Sequence, residues 1–148
     1  MKSRPAALLY AVPLFLACSE STEPDGIWEV DFGLVGAPSS LNTLIMPDTV
    51  FVGRPVAVTV NTFGSSSCTR PAGIIQASAG ARLQILTPLD SVAVRAIACT
   101  DDLASHPHPT VLTFQEAGTA TVRVQGYIML QGGQKRSGAV EKLVVVRP

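Results

Sequence analysis

The chain has 148 residues, with 11 Lys and Arg against 11 Asp and Glu, so its formal net charge is zero. That length fits one domain of ordinary size, and the charge balance leaves no basic surplus to neutralise a nucleic-acid backbone or an anionic leaflet. Apolar residues at 47% against 15% charged exclude a disordered chain, and aromatics at only 5% leave the core to Val, Ile, Leu and Ala, a mixture that favours strands.

Lys2 and Arg4 open the chain, an apolar run covers 6–17, and Ala17 stands directly before Cys18. A membrane-spanning helix needs about 20 apolar residues, so this shorter run, interrupted by Pro13, reads as a leader that is cleaved. Leu16-Ala17-Cys18 resembles the lipobox of bacterial lipoproteins, with Phe15 where an aliphatic residue is usual. The resemblance implies a signal peptide over 1–17, acylation of Cys18 and, with Ser19 rather than Asp next, sorting to the outer membrane. The protein would then belong to the cell envelope, held to the membrane by its N-terminal lipid. An ordinary secretory leader is the alternative. Cysteine arithmetic weighs against it: of three cysteines, lipidation of Cys18 leaves Cys68 and Cys99 as an even pair for a disulfide in an oxidising compartment.

Residues 18–40 read as a tether, polar and acidic over 19–25 and rich in Gly, Pro and Ser over 33–40. Within it, 27–32 alternates, with Trp28, Val30 and Phe32 on one side, and predicts a short edge strand or an arm docked on the domain. From residue 41 turn residues recur at roughly the eight-to-twelve-residue spacing of a sandwich or barrel. Strands are expected over 41–46 and 49–52, broken by Pro47, then over 56–61, where Val56, Val58 and Val60 share a face. Further strands are expected over 73–78, 82–87 and 91–99, separated by turns at 79–81 and 88–90. Residues 110–115 and 119–127 read as a hairpin about Glu116-Ala117-Gly118, and Gly132-Gly133 as a turn into 140–146. That last strand is apolar on both sides and predicts burial on two faces.

Gly118-Thr119-Ala120-Thr121-Val122-Arg123-Val124, following Phe114, resembles the closing strands of bacterial immunoglobulin-like domains. The resemblance implies an all-β, immunoglobulin-like sandwich of antiparallel strands over 41–148. Two features depart from the antibody pattern: Trp28 precedes the domain, and Cys68 falls in a loop.

Chemistry-bearing residues are few. His106-Pro107-His108-Pro109 places two imidazoles in a rigid, exposed loop near Asp101 and Asp102, the most metal-like spot in the chain, without the spacing of a recognised zinc motif. Asp90, Asp101 and Asp102 could offer oxygens to calcium, but simple turn formation is the plainer role. Ser65, Ser66 and Ser67 supply hydroxyls, yet no Gly-x-Ser-x-Gly elbow and no cofactor fingerprint occurs. The expectation is therefore a membrane-anchored binding or structural module of the envelope, with no enzyme activity, no cofactor and no nucleic-acid partner. It would contact an envelope protein or a glycan through loops 64–72 and 103–109. The rival is a metal-assisted or serine-type hydrolase centred on His106 and His108, and a third reading offers an edge strand to a partner.

Overall fold

Alternation of β-branched and polar residues becomes strand after strand. The computed structural model describes residues 27–36, 42–94 and 98–148, and Cys18 lies outside them. Among the described residues the fold is all-β, without a helix. Its strands are β1 (Trp28–Phe32), β2 (Leu34–Gly36), β3 (Leu44–Ile45), β4 (Thr49–Phe51), β5 (Val56–Gly64), β6 (Thr69–Ser78), β7 (Leu83–Ala93), β8 (Ala104–Leu112), β9 (Gly118–Met129) and β10 (Lys135–Arg147).

Two sheets form. The larger runs β1-β7-β9-β10-β4, with β6 also on β7 and β2 also on β9; the smaller runs β3-β5-β8. The core lies between them. Val58, Val60 and Leu112 from the smaller sheet meet Leu86, Val122, Val124, Val144 and Val146 from the larger, with Phe114 fully buried where the chain crosses over. Each such side chain contributes roughly 1.5–3 kcal/mol on leaving water. The period-two patterns of β5 and β9 therefore point inward as their sequences predict.

Pro47 does more than interrupt a strand. β3 pairs with β5 in the smaller sheet and β4 pairs in parallel with β10 in the larger, so the break carries the chain from one sheet to the other. Lys142 secures the crossing: its Nζ donates to the Met46 carbonyl at 2.9 Å and lies 2.8 Å from Asp48 Oδ1.

Several expectations are corrected. Glu116-Ala117-Gly118 is not a hairpin turn. β8 pairs with β5 over nine residues and β9 pairs with β10 over twelve, so the turn arches between sheets; Gly118 takes φ +122° there. Short-range turn chemistry is the same for an arch and a hairpin, and the long cross-strand registers decide between them. Residues 88–90 are not a turn either, because β7 runs unbroken through them and ends at Ala93. Residues 33–40, read as linker, include β2, whose Leu34 and Val35 are buried. β1 on β7 is the expected short edge strand, and β2 on β9 carries the larger sheet on to Gly36, past the expected 27–32.

A fork in the larger sheet explains the last two corrections. β7 and β9 pair in parallel over Leu83–Leu86 and Thr121–Val124 and then part; β1 takes up β7 from Leu89 onward and β2 takes up β9 at Tyr127. Gly33 sits in the crotch. Its N–H donates to the Pro88 carbonyl and its carbonyl accepts from the Tyr127 N–H, both at 2.9 Å. N–H and C=O of one residue leave a strand on the same side, so the Pro88 nitrogen faces the fork, where no ladder bond is lost. That is how a proline occupies the middle of a central strand.

The strand over 140–146 is covered on one face only. Val144 and Val146 are buried, but Leu143 is 68% and Val145 48% exposed. The smaller sheet packs against one side of the larger, and among the described residues nothing packs on the other.

Candidate functional site

His106 and His108 are not in an exposed loop. They lie two residues apart on β8, so they share a face, and that face is the interior: His106 is 8% and His108 2% exposed, while Pro107 and Pro109 point to solvent. β8 is an edge strand, and edges accept residues that lack an amide hydrogen.

His108, on β8, is held from three other strands. Its Nε2 lies 3.0 Å from Asp90 Oδ1 on β7 and 3.1 Å from Thr62 Oγ1 on β5, and Thr62 donates to the same Asp90 oxygen at 3.0 Å. On the far side of the ring, Nδ1 meets the Gly73 carbonyl of β6 at 2.9 Å. That carbonyl is available because a bulge at residue 72 shifts the β6–β7 register and Gly73 takes φ +140°, a value that favours glycine. Nδ1 thus faces the Gly73 carbonyl while Nε2 faces the Asp90 carboxylate and the Thr62 hydroxyl, so each ring nitrogen has a partner. Thr62 and His108 belong to the smaller sheet, Asp90 and Gly73 to the larger. The node ties the two sheets together in the dry interior, with Thr62 at 0% and Asp90 at 2% exposure.

A relay for hydrolysis needs nucleophile and acid on opposite ring nitrogens. Here hydroxyl and carboxylate share Nε2, and the hydroxyl is sealed from solvent. Ser65, Ser66 and Ser67 are elsewhere, each within hydrogen-bonding distance of Thr100 Oγ1. Among the described residues no group of three or more His, Cys, Asp or Glu is placed to hold a metal ion. Asp90 and Asp102 line one cleft of about 260 Å³, but Asp90 is committed to His108 and Asp102 to the loop around Thr100. His106 Nε2 is buried with no hydrogen-bond partner.

The expected disulfide is present: Cys68 and Cys99 are bonded, with Cα atoms 5.5 Å apart. It joins the turn after β5 to the segment before β8. Beside it Thr100 N–H donates to Ser67 Oγ at 2.9 Å, Thr100 Oγ1 donates to Asp102 Oδ1 at 2.6 Å, and Ser66 N–H donates to that oxygen at 2.9 Å. The Thr100 hydroxyl, with help from Ser66, holds the Asp102 carboxyl down at about 2. The two segments expected to act as contact loops are thus largely committed: 69–72 belongs to β6 and 104–109 to β8.

No family model, curated protein or solved structure matches the chain. Its chemistry must be read from its own surface, and the outer face of the larger sheet carries a concavity. A groove of about 690 Å³ crosses β6, β7, β9 and β10 there, with β1 at one end. Its floor is shallow in side chains, because Thr87, Ser137, Gly138 and Ala139 are small, while Phe32, Ile75, Arg123 and Glu141 stand around it. Phe32 and Ile75 are 48% and 53% exposed.

Each wall has a structural cause. Phe32 pairs with Leu89, opposite in direction to buried Pro88 and Asp90, so it points outward. Tyr127 meets it edge to face, with ring centroids 6.0 Å apart and planes at 68°, and donates its hydroxyl to Asp31 Oδ1 at 3.2 Å. The negative charge of Asp31, with partial desolvation and that hydrogen bond, raises the Tyr127 pKa and keeps the phenol protonated. Arg123 and Glu141 stand directly opposite across β9 and β10, with Nε donating to Oε1 at 2.6 Å. Farther along the same face, the Arg70 guanidinium lies 3.8 Å from the Trp28 ring centroid.

The groove residues were not among the sequence-predicted contacts. Alternation in 119–127 does put Thr121, Arg123 and Gln125 on the face opposite Val122 and Val124. What it does not reveal is Glu141 opposite Arg123, or Phe32 brought alongside by the fork.

Proposed function

We propose that this protein is an exported, lipid-anchored module of the cell envelope, built on an immunoglobulin-like sandwich, that binds a ligand without transforming it. The open outer face of the larger sheet is its recognition surface. The carrying observation is the 690 Å³ groove on that face, of ordinary ligand-site size, in a chain whose histidine and carboxylate cluster is tied up inside. Support for the envelope address comes from the leader ending at Leu16-Ala17-Cys18, and the bonded Cys68–Cys99 pair suits an oxidising compartment. Support for the immunoglobulin-like reading comes from the two-sheet arrangement and the Gly118–Val124 stretch.

Two measurements test it. Wild-type protein should partition with membranes after cleavage at Cys18, and Cys18→Ser should be soluble; equal partitioning of both would remove the lipid anchor. A photo-cross-linking residue at Gln125, in the groove, should give a defined adduct in native envelopes, and one at Val111, on the smaller sheet, should not. The reverse pattern would move recognition off this face.

A further inference from the structure

We infer that the outer-face groove binds an uncharged oligosaccharide. This deepens the proposal above and rests on its assignment of the recognition surface.

The lining offers two kinds of surface in alternation. Phe32 presents a half-exposed aromatic ring and Ile75 a half-exposed aliphatic side chain, suited to the C–H faces of sugar rings. Alongside them β9 and β10 present Arg123, Gln125, Ser137 and Glu141, a planar guanidinium, an amide, a hydroxyl and a carboxylate, suited to ring hydroxyls that both donate and accept. The Arg123–Glu141 bond uses one guanidinium N–H and one carboxylate oxygen, so both groups keep further hydrogen-bonding capacity toward a ligand.

Charge selects the class further. Arg123 and Glu141 compensate each other, which leaves the groove without net charge and fits a neutral ligand better than an anionic one. Polarity weighs against a lipid tail, which would strand the Arg123–Glu141 ion pair. Four strands about 4.8 Å apart give the groove the length of several rings rather than one. The site is also preorganised, since Tyr127 fixes Phe32 edge-on and is itself fixed by Asp31.

Ligand-observed saturation-transfer NMR on the full chain, with chitotetraose, maltotetraose and cellotetraose as probes, tests the inference. At least one should take up saturation, and Phe32→Ala, Gln125→Ala and Glu141→Gln should each weaken its binding about tenfold. All three positions lie on the solvent side, so the thermal midpoints should stay close to wild type and report intact folding. No transfer to any of the three sugars, or unchanged binding by all three variants, would overturn the inference. If the sugars fail while the cross-linker at Gln125 still gives its adduct, only the saccharide assignment falls; if both fail, the outer-face assignment falls with it.

Discussion

His108 Nε2 lies 3.0 Å from Asp90 Oδ1, and the two side chains belong to different sheets, both 3% exposed or less. Replacing this pair with well-packed apolar residues is often neutral, but removing one member leaves the other a buried polar group without its partner. Asp90→Ala or His108→Ala should therefore cost about 3–5 kcal/mol, and Thr62→Val, which removes one hydrogen bond at constant shape, about 1 kcal/mol. Urea unfolding of the single variants and of the Asp90/His108 double variant checks this: the double variant should lose much less than the sum of the singles. Simple additivity would mean that the pair is not coupled.

Gly33 and Gly126 touch back to back at the fork. A Cβ on Gly126 would collide with the Gly33 carbonyl oxygen that Tyr127 bonds, and a Cβ on Gly33 would collide with Thr62 Cγ2 and come within 3.0 Å of Asp90 Oδ2. Backbone strain plays no part, since neither residue has positive φ. Gly126→Ala should cost about 1–3 kcal/mol by overpacking, and Gly33→Ala should in addition disturb the Asp90 node. By contrast, an added Cβ at Gly132 meets nothing within 4 Å, and its only penalty comes from φ +85°. Thermal melts of the three alanine variants should rank them accordingly.

The disulfide closes a loop with a sequence separation of 31. In the loop-entropy account, cross-linking at that separation contributes about 3–4 kcal/mol through the unfolded chain. Adding reductant, or making Cys68→Ala with Cys99→Ala, should lower the unfolding free energy by that amount, read as a lower denaturant midpoint. An unchanged midpoint would show that the reduced chain retains the loop by other contacts.

Asp102 supplies a pH dependence of known sign. Its folded pKa of about 2 lies below the ordinary value of 3.8, so its contribution is fully present above 3.8 and is lost as pH falls through about 2. The protection of the Ser66 and Thr100 amides against exchange, relative to their intrinsic rates at each pH, should fall across that window as the carboxylate releases the loop. In Asp102→Asn the same amides should already exchange faster at pH 5, and acidification should add little.

Leu143 and Val145 stand exposed beside buried Val144. Leu143→Thr should change stability by no more than about 0.5 kcal/mol, whereas Val144→Ala should cost about 2 kcal/mol. Equilibrium unfolding of the isolated chain decides. A large cost at Leu143 would mean that the outer face is covered, as an apolar run on both sides of a strand suggests at first reading.

Composition and periodicity determined the β class and the inward rows Val58/Val60 and Val122/Val124, because branching at Cβ and a period of two are properties of the chain itself; of three cysteines, setting Cys18 aside leaves Cys68 and Cys99 as the pair. They did not determine partners. Glu116-Ala117-Gly118 serves an arch as well as a hairpin, and Pro88 reads as a turn until Gly33 is seen to occupy the side where its missing N–H points. His106 and His108 look solvated beside their prolines, yet Asp90, 18 residues earlier, and Thr62, 46 residues earlier, draw His108 into the interior. Each of these outcomes depends on contacts between residues far apart in sequence, whose energies exceed any local preference and exist only once both sheets are in place.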